Sequence, residues 1–205
     1  MPCPPTAEPA SATEIAVSRE DLPQRKSVRL KTYDYAQAGG YFITVCVQDH
    51  ACILGEVLNG SVALNPLGYA VEGCWTEIPR HFPSAQLDQF VVMPNHLHGI
   101  VIMTLPQPAL PGPGGAPPAV PAAPATREAF GRPVKGSLPT IIRSFKSAAS
   151  LAVRQLGGMP RLRLCQRDYF EHVIRNHRDL EEIRRYIYDN PMRWDAEKGG
   201  VDRWR

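Results

Sequence analysis

The first half of the chain alternates short apolar runs with turn residues, a pattern typical of strands and hairpins. The β-branched and aromatic run YFITVCV occupies positions 41–47. Two further apolar segments flank Asn59-Gly60, a dipeptide that favours a two-residue hairpin turn. The pattern predicts strands at 41–47, 53–58, 61–64, 89–93 and 96–103, and a helix at 67–78 where apolar residues recur at helical spacing.

The second half reads as helical. Ser137 can cap a helix that runs to about residue 156, and Asn176 can cap a final helix that ends near Asn190-Pro191. An extended segment is predicted at 169–174. The apolar stripes are Ile141, Phe145, Ala148 and Ala152 on the first helix, and Leu180, Ile183 and Ile187 on the last. Together these elements predict an α+β fold, in which a central antiparallel sheet is covered by helices.

Proline is concentrated in two segments of the 205-residue chain, which contains 21 prolines. Residues 1–24 are rich in Pro, Ala, Ser and Thr, and we expect a disordered tail there. Residues 105–129 are dominated by Pro, Ala and Gly, which cannot build regular structure because proline lacks a backbone donor. We therefore expect one domain at 25–205, interrupted by a flexible linker at 105–129.

The net charge and the search for membrane or secretory segments indicate which classes of protein are compatible with the chain. The net charge of +3 is compatible with nucleic acid but does not require it. No apolar run reaches the ~20 residues that a membrane-spanning helix needs, and the N-terminus has no secretory pattern. We expect a cytoplasmic protein with no membrane partner.

The five cysteines include no C-x-x-C pair, so no cysteine zinc site is predicted.

Two histidines open an otherwise apolar strand. His96 and His98 are two residues apart, so on a strand both rings point to the same face. Converging neutral imidazoles suit a divalent cation. A pair of hydrogen-bonded histidines would explain the same spacing, and the spacing alone leaves both interpretations open.

A tyrosine and an amide share one edge of the final helix. Tyr186 and Asn190 are four residues apart, which places them one turn over the other. They could face a site at the sheet surface. Taken by itself, the helix favours a simpler interpretation, in which Tyr186 is packing and Asn190 is a helix cap before Pro191.

The ordered series of motifs resembles the REP-associated tyrosine transposases, a branch of the single-tyrosine HUH superfamily. The matching motifs are His96-Leu97-His98 within VVMPNHLHGIVI, and Tyr186 with Asn190 within RRYIYDNP. The segments RKSVRLKTYDY, YFITVCVQ, IIRSFKSA and QRDYFEHVIRN resemble the same branch. The resemblance runs from about residue 25 to residue 194 and implies a ferredoxin-like or RRM-like sheet.

This resemblance implies a metal-dependent strand transferase. His96, His98 and Asn190 would hold Mg²⁺ or Mn²⁺, and Tyr186 would be the nucleophile. The enzyme would cleave and rejoin single-stranded DNA at REP-type hairpins through a 5′-phosphotyrosine link. It could act as a monomer or a homodimer. Tyr188 points away from Tyr186 on a helix, and we expect it to pack within the protein.

Basic residues predict the DNA-binding surface, because Lys and Arg neutralise phosphates. They lie before the first strand, on the middle helix and before the final helix. The candidates are Arg25, Lys26, Arg29, Lys31, Arg143, Lys146, Arg167, His172 and Arg175.

Two other functions remain open at this stage. The chain could be a catalytically inactive protein that binds DNA hairpins. Alternatively, His96 and His98 could serve a metal-dependent phosphoesterase that acts on small substrates. A phosphoesterase of this kind would form no covalent adduct with DNA and would tolerate replacement of Tyr186.

Overall fold

A four-stranded antiparallel sheet forms the centre of the protein. The computed structural model describes residues 37–104 and 134–196. The strands follow the spatial order β4-β5-β1-β6. Their bounds are β1 Gly39–Cys46, β4 Ala85–Val92, β5 His96–Met103 and β6 Phe170–Ile174. The predicted α+β class with a central antiparallel sheet is confirmed. The tail at 1–24 and the linker at 105–129 lie outside the described residues.

A separate hairpin joins β2 (Gly55–Leu58) to β3 (Ser61–Leu64). Asn59 and Gly60 form its turn with φ values of 52° and 73°. A type I′ turn needs positive φ at both central residues, which Asn and Gly adopt most readily. The predicted hairpin is therefore confirmed, although β2 starts two residues later than expected.

Three helices cover one face of the sheet: α1 (Pro66–Thr76), α2 (Ile78–His81) and α3 (Leu138–Gly157). The Asn65 side chain caps α1 by accepting hydrogen bonds from two backbone N–H groups. On α3, the second half of the predicted stripe is wrong. Ala149 and Val153 are buried there in place of Ala148 and Ala152, because Val153 offers the core more apolar surface than an alanine does.

The fourth helix, α4 (His177–Ala196), covers the opposite face. Asn176 caps it as predicted, since its side-chain oxygen accepts from the Asp179 N–H at 2.9 Å. The predicted end near Pro191 is wrong, because the helix continues through this proline. The turn beyond it is held by Trp194, which packs with β2 and the segment between β4 and β5. Tertiary packing thus outweighs the local cost of the proline.

Alternation along β5 separates the two faces. Leu97, Val101 and Met103 belong to the core beneath α1 and α3, whereas Ile100 packs with residues of α4. His96 and His98 share the α4 face with Ile100, as the two-residue period requires. Within the described residues, no helix has the length and apolarity to cross a membrane.

Candidate active site

His96 and His98 meet at the start of β5. Their Nε2 atoms are 3.0 Å apart, and their rings meet edge to face with centroids separated by 4.4 Å. Both residues are almost fully buried, at 1% and 0% exposure. Burial lowers the pKa of His96 to about 3 and that of His98 well below its ordinary value. Both rings are therefore neutral near pH 7, the form in which imidazole binds metals.

Each histidine has a polar neighbour at its other ring nitrogen. Thr44 lies opposite His98 in the β1–β5 register, and its hydroxyl is 2.8 Å from His98 Nδ1. The Oδ1 atom of Asn95 is 2.7 Å from His96 Nδ1. These contacts set the orientation of the two rings and leave both Nε2 atoms facing each other.

Helix α4 brings Tyr186 and Asn190 to the histidines. The Tyr186 hydroxyl is 3.3 Å from His98 Nε2, and the Asn190 side chain hydrogen-bonds with His96. Tyr186 also meets the ring of Phe42 edge to face, with centroids 5.8 Å apart. Both α4 residues are buried. The structure thus brings together all four residues that the sequence motifs singled out.

Two residues of the last turns of α4 border the site. The ring of Trp194 lies 5.9 Å from that of His96, and the guanidinium of Arg193 lies 5.6 Å from the centre of the Tyr186 ring. Sequence reasoning missed both, because it ended the helix at Pro191. It also missed Thr44 and Asn95. Of these, Asn95 had a recognisable signal, since it directly precedes His96.

The pair of imidazoles fits a divalent ion. Two neighbouring ligands of an octahedral ion with bonds of about 2.1 Å lie about 3.0 Å apart, which matches the Nε2–Nε2 separation. Within the described residues, no group of three or more His, Cys, Asp or Glu side chains could hold a metal. Asn190, whose side chain hydrogen-bonds with His96, offers an amide oxygen as a further candidate ligand.

The predicted basic residues have different environments. Arg143, Arg167 and Arg175 are exposed. The ammonium of Lys146 instead donates to the backbone carbonyls of residues 166–168, and desolvation lowers its pKa. This placement favours a role in holding the loop before β6. The remaining candidates are His172, which bonds to the carboxylate of Asp179, and Arg25, Lys26, Arg29 and Lys31, which lie outside the described residues.

Tyr188 does not pack within the protein as expected. Its side chain is 75% exposed on the outer face of α4. The expectation followed from its direction, away from Tyr186 on the helix, but the core beneath α4 is already filled by Ile183, Tyr186 and Ile187.

Comparison with known proteins finds similarity both in sequence and in structure. No family model matches the chain. An uncharacterized protein of Haemophilus influenzae is 36% identical over 181 residues, which is 87% of this chain and 94% of that protein. The chain therefore belongs to the same family as that protein.

Two solved structures that are similar to this chain are described as transposases, the class that the sequence motifs resemble. One is a REP-associated tyrosine transposase bound to a REP hairpin, with a TM-score of 0.47, 20% identity, and coverage of 82% of this chain and 74% of that one. The other is a candidate transposase from Deinococcus radiodurans R1, with a TM-score of 0.42, 11% identity, and coverage of 85% and 98%.

Proposed function

We propose that this protein is a metal-dependent DNA strand transferase of the transposase type, with Tyr186 as its nucleophile. One observation carries the proposal: the Tyr186 hydroxyl lies 3.3 Å from His98 Nε2, beside the paired imidazoles of His96 and His98. A phenol within reach of a site suited to a divalent ion is the arrangement that tyrosine attack on a phosphodiester requires.

His96, His98 and Asn190 would hold Mg²⁺ or Mn²⁺. When bound, the ion would neutralise charge on the scissile phosphate and act as a Lewis acid. The neutral state of both histidines suits this role, because a protonated imidazole offers no lone pair on its second nitrogen.

Tyr186 would carry the covalent step. Its phenolic oxygen bonds to phosphorus while the bond from phosphorus to the 3′ oxygen breaks. The phenol loses its proton, and the departing 3′ oxygen gains one. The products are a 5′-phosphotyrosine link and a free 3′-hydroxyl. Attack on that link by another 3′-hydroxyl reverses the chemistry and rejoins DNA without a further energy source.

The substrate follows from the sequence resemblance to REP-associated tyrosine transposases. We propose single-stranded DNA folded into hairpins, the kind of ligand present in one of the solved structures. The exposed residues Arg143, Arg167 and Arg175 supply charge for phosphate contacts.

Entry of DNA requires the end of α4 to move, because the four site residues are almost fully buried. Trp194 and Arg193 border the site on this helix. Pro191 cannot donate a hydrogen bond to the carbonyl of Ile187, so the last turn is joined less firmly to the rest of the helix. We assign the opening movement to this turn.

Covalent capture on single-stranded host DNA tests the proposal. The wild-type protein is mixed with denatured genomic DNA and Mn²⁺ or Mg²⁺, and the products are separated on a denaturing gel. Tyr186→Phe is the test variant, and Tyr188→Phe is its matched control, since it removes an exposed hydroxyl two residues away on the same helix. We expect a metal-dependent adduct with the wild type and the control, and none with Tyr186→Phe. An adduct that persists in Tyr186→Phe would contradict the proposal, as would retention of hairpins without any adduct.

A further inference from the structure

Asn95 connects a strained turn to the ring of His96. Its backbone carbonyl accepts from the Val47 N–H at 2.8 Å, and its side-chain Nδ2 donates to the His50 carbonyl at 3.2 Å. Its Oδ1 atom is 2.7 Å from His96 Nδ1. The residue is 2% exposed, so these protein contacts replace the bonds that water would otherwise supply.

The turn fixes which end of the Asn95 amide faces the histidine. A backbone carbonyl only accepts hydrogen bonds, so the amide nitrogen must face His50 and the amide oxygen must face His96. An amide oxygen also only accepts. The proton of the neutral His96 ring therefore sits on Nδ1, and the lone pair on Nε2 faces the site.

The turn itself is held firmly. Asp49 and His50 both adopt left-handed backbone conformations, with φ values of 55° and 54°, which are uncommon for residues with a Cβ, although Asp and His adopt them more readily than most. The Gln48 N–H donates to the Leu164 carbonyl at 2.7 Å, and the Val47 N–H donates to Asn95. Because two other segments hold the start of the turn and the Ala51 N–H closes it on the Gln48 carbonyl, the His50 carbonyl stays aimed at Asn95.

His98 has a partner of a different kind. The Thr44 hydroxyl, 2.8 Å from His98 Nδ1, can both donate and accept. Without a cation, His98 Nε2–H donates to the lone pair of His96 Nε2, and Nδ1 accepts from Thr44. If His98 Nε2 held a cation, the His98 proton would sit on Nδ1, where the Thr44 oxygen could accept it. The proton moves between nitrogens of one ring by exchange with solvent, so none is gained or lost.

We propose that Asn95 is a positioning residue that fixes His96 in the Nδ1–H tautomer, and that Thr44 allows His98 to change tautomer when a cation enters. The tautomer of His96 is therefore fixed before a cation binds, whereas the tautomer of His98 can change. The proposal rests on the metal site of the proposed function, but the tautomers themselves are a property of the metal-free protein.

Two substitutions separate this role from a purely structural one. Asn95→Asp keeps an acceptor for His96 Nδ1–H but loses the donor to His50. Asn95→Leu has a similar shape and loses both. Both variants lose the bond to His50, and only Asn95→Leu removes the acceptor for His96. Asn65→Asp is a matched control, because Asn65 also donates to a backbone carbonyl, that of Ile53, and its side-chain bonds do not reach the site.

Two measurements are made on each variant. Two-bond ¹H–¹⁵N spectra of the metal-free protein report which nitrogen of each histidine carries the proton. Titration with Mn²⁺ alone, followed by electron paramagnetic resonance of the free ion, reports affinity. We expect the Nδ1–H tautomer for His96 in the wild type, Asn95→Asp and Asn65→Asp, and the Nε2–H tautomer in Asn95→Leu. Mn²⁺ binding should weaken about 10- to 100-fold in Asn95→Leu, and Asn95→Asp should restore most of it.

An Nε2–H tautomer for His96 in the wild type overturns the proposal, and this result does not depend on whether any variant folds. Equal weakening of Mn²⁺ binding by Asn95→Asp and Asn95→Leu also overturns it, since that pattern indicates an anchor for the turn alone. If the wild type binds no Mn²⁺ but its tautomers follow the expected pattern, the metal site of the proposed function fails while the assignment for Asn95 stands.

Discussion

Gly99 is a position beside the candidate site at which one added methyl group should destabilise the protein clearly. A Cβ there would lie 2.4 Å from Cζ2 and 2.9 Å from Cε2 of the Trp75 ring. Trp75 has no exposed surface, and its ring is held edge to face against Phe145 with centroids 5.1 Å apart. The ring cannot move aside easily, so we expect Gly99→Ala to cost about 2–3 kcal/mol, the upper part of the range for overpacked cores.

Urea unfolding at neutral pH measures this cost, and thermal unfolding should show a Tm lower by about 5–10 °C. Gly73→Ala is the matched control, because a Cβ at this exposed helical position meets nothing within 4 Å. We expect the control to stabilise the protein by about 0.4–1 kcal/mol. A cost below about 0.5 kcal/mol for Gly99→Ala would refute the reasoning, since it would mean that the sheet and Trp75 separate freely. Because Gly99 adjoins His98, we also expect weaker Mn²⁺ binding in this variant.

Three further predictions concern α4. Replacing Trp194 by alanine removes a nearly buried ring beside the site, so we expect a stability loss of about 3 kcal/mol. We also expect diethyl pyrocarbonate to modify the site histidines faster in this variant. An unchanged modification rate would show that Trp194 does not limit access to the site. Arg193→Gln removes the cation above the Tyr186 ring, which should slow adduct formation about two- to fivefold. We expect Arg193→Lys to form the adduct at an intermediate rate. Equal rates for Arg193→Gln and the wild type in timed capture assays would contradict this prediction. The hydrogen bond from Arg184 holds the pKa of Asp88 below its ordinary value, so the pair stabilises the protein above the ordinary carboxyl pKa, and this contribution is lost as the pH falls through the lowered one. Asp88→Asn should therefore lower the free energy of unfolding by about 1 kcal/mol at pH 7, and by progressively less in acid. If urea unfolding shows the same loss at every pH, the result counts against this ion pair as the cause.

The chain's local patterns were sufficient to predict those features that depend on neighbours along the sequence. The two-residue period of a strand places His96 and His98 on one face, and the helical period aligns Tyr186 with Asn190. The turn at Asn59-Gly60 depends on backbone conformations that few other residues adopt. Each of these properties follows from covalent geometry and from spacings of four residues or fewer.

Other features depended on partners distant in sequence. Pro191 reads locally as the end of a helix, yet Trp194 finds a packing site against Val57 and Met93 that holds the next turn in place. The exposed position of Tyr188 was likewise decided by which residues had already filled the core beneath α4.

Tertiary structure alone decided the contacts of the candidate site. The approach of the Tyr186 hydroxyl to His98 spans 88 residues of sequence, and the bond between Thr44 and His98 spans 54. The sequence by itself determined which side chains share a face of each element. The folded chain determined how far apart the elements lie, how little water reaches the two imidazoles, and which nitrogen of each ring faces a donor or an acceptor. Those three quantities depend on the pairing of β1 with β5 and on the packing of the sheet against α4, which no local pattern encodes.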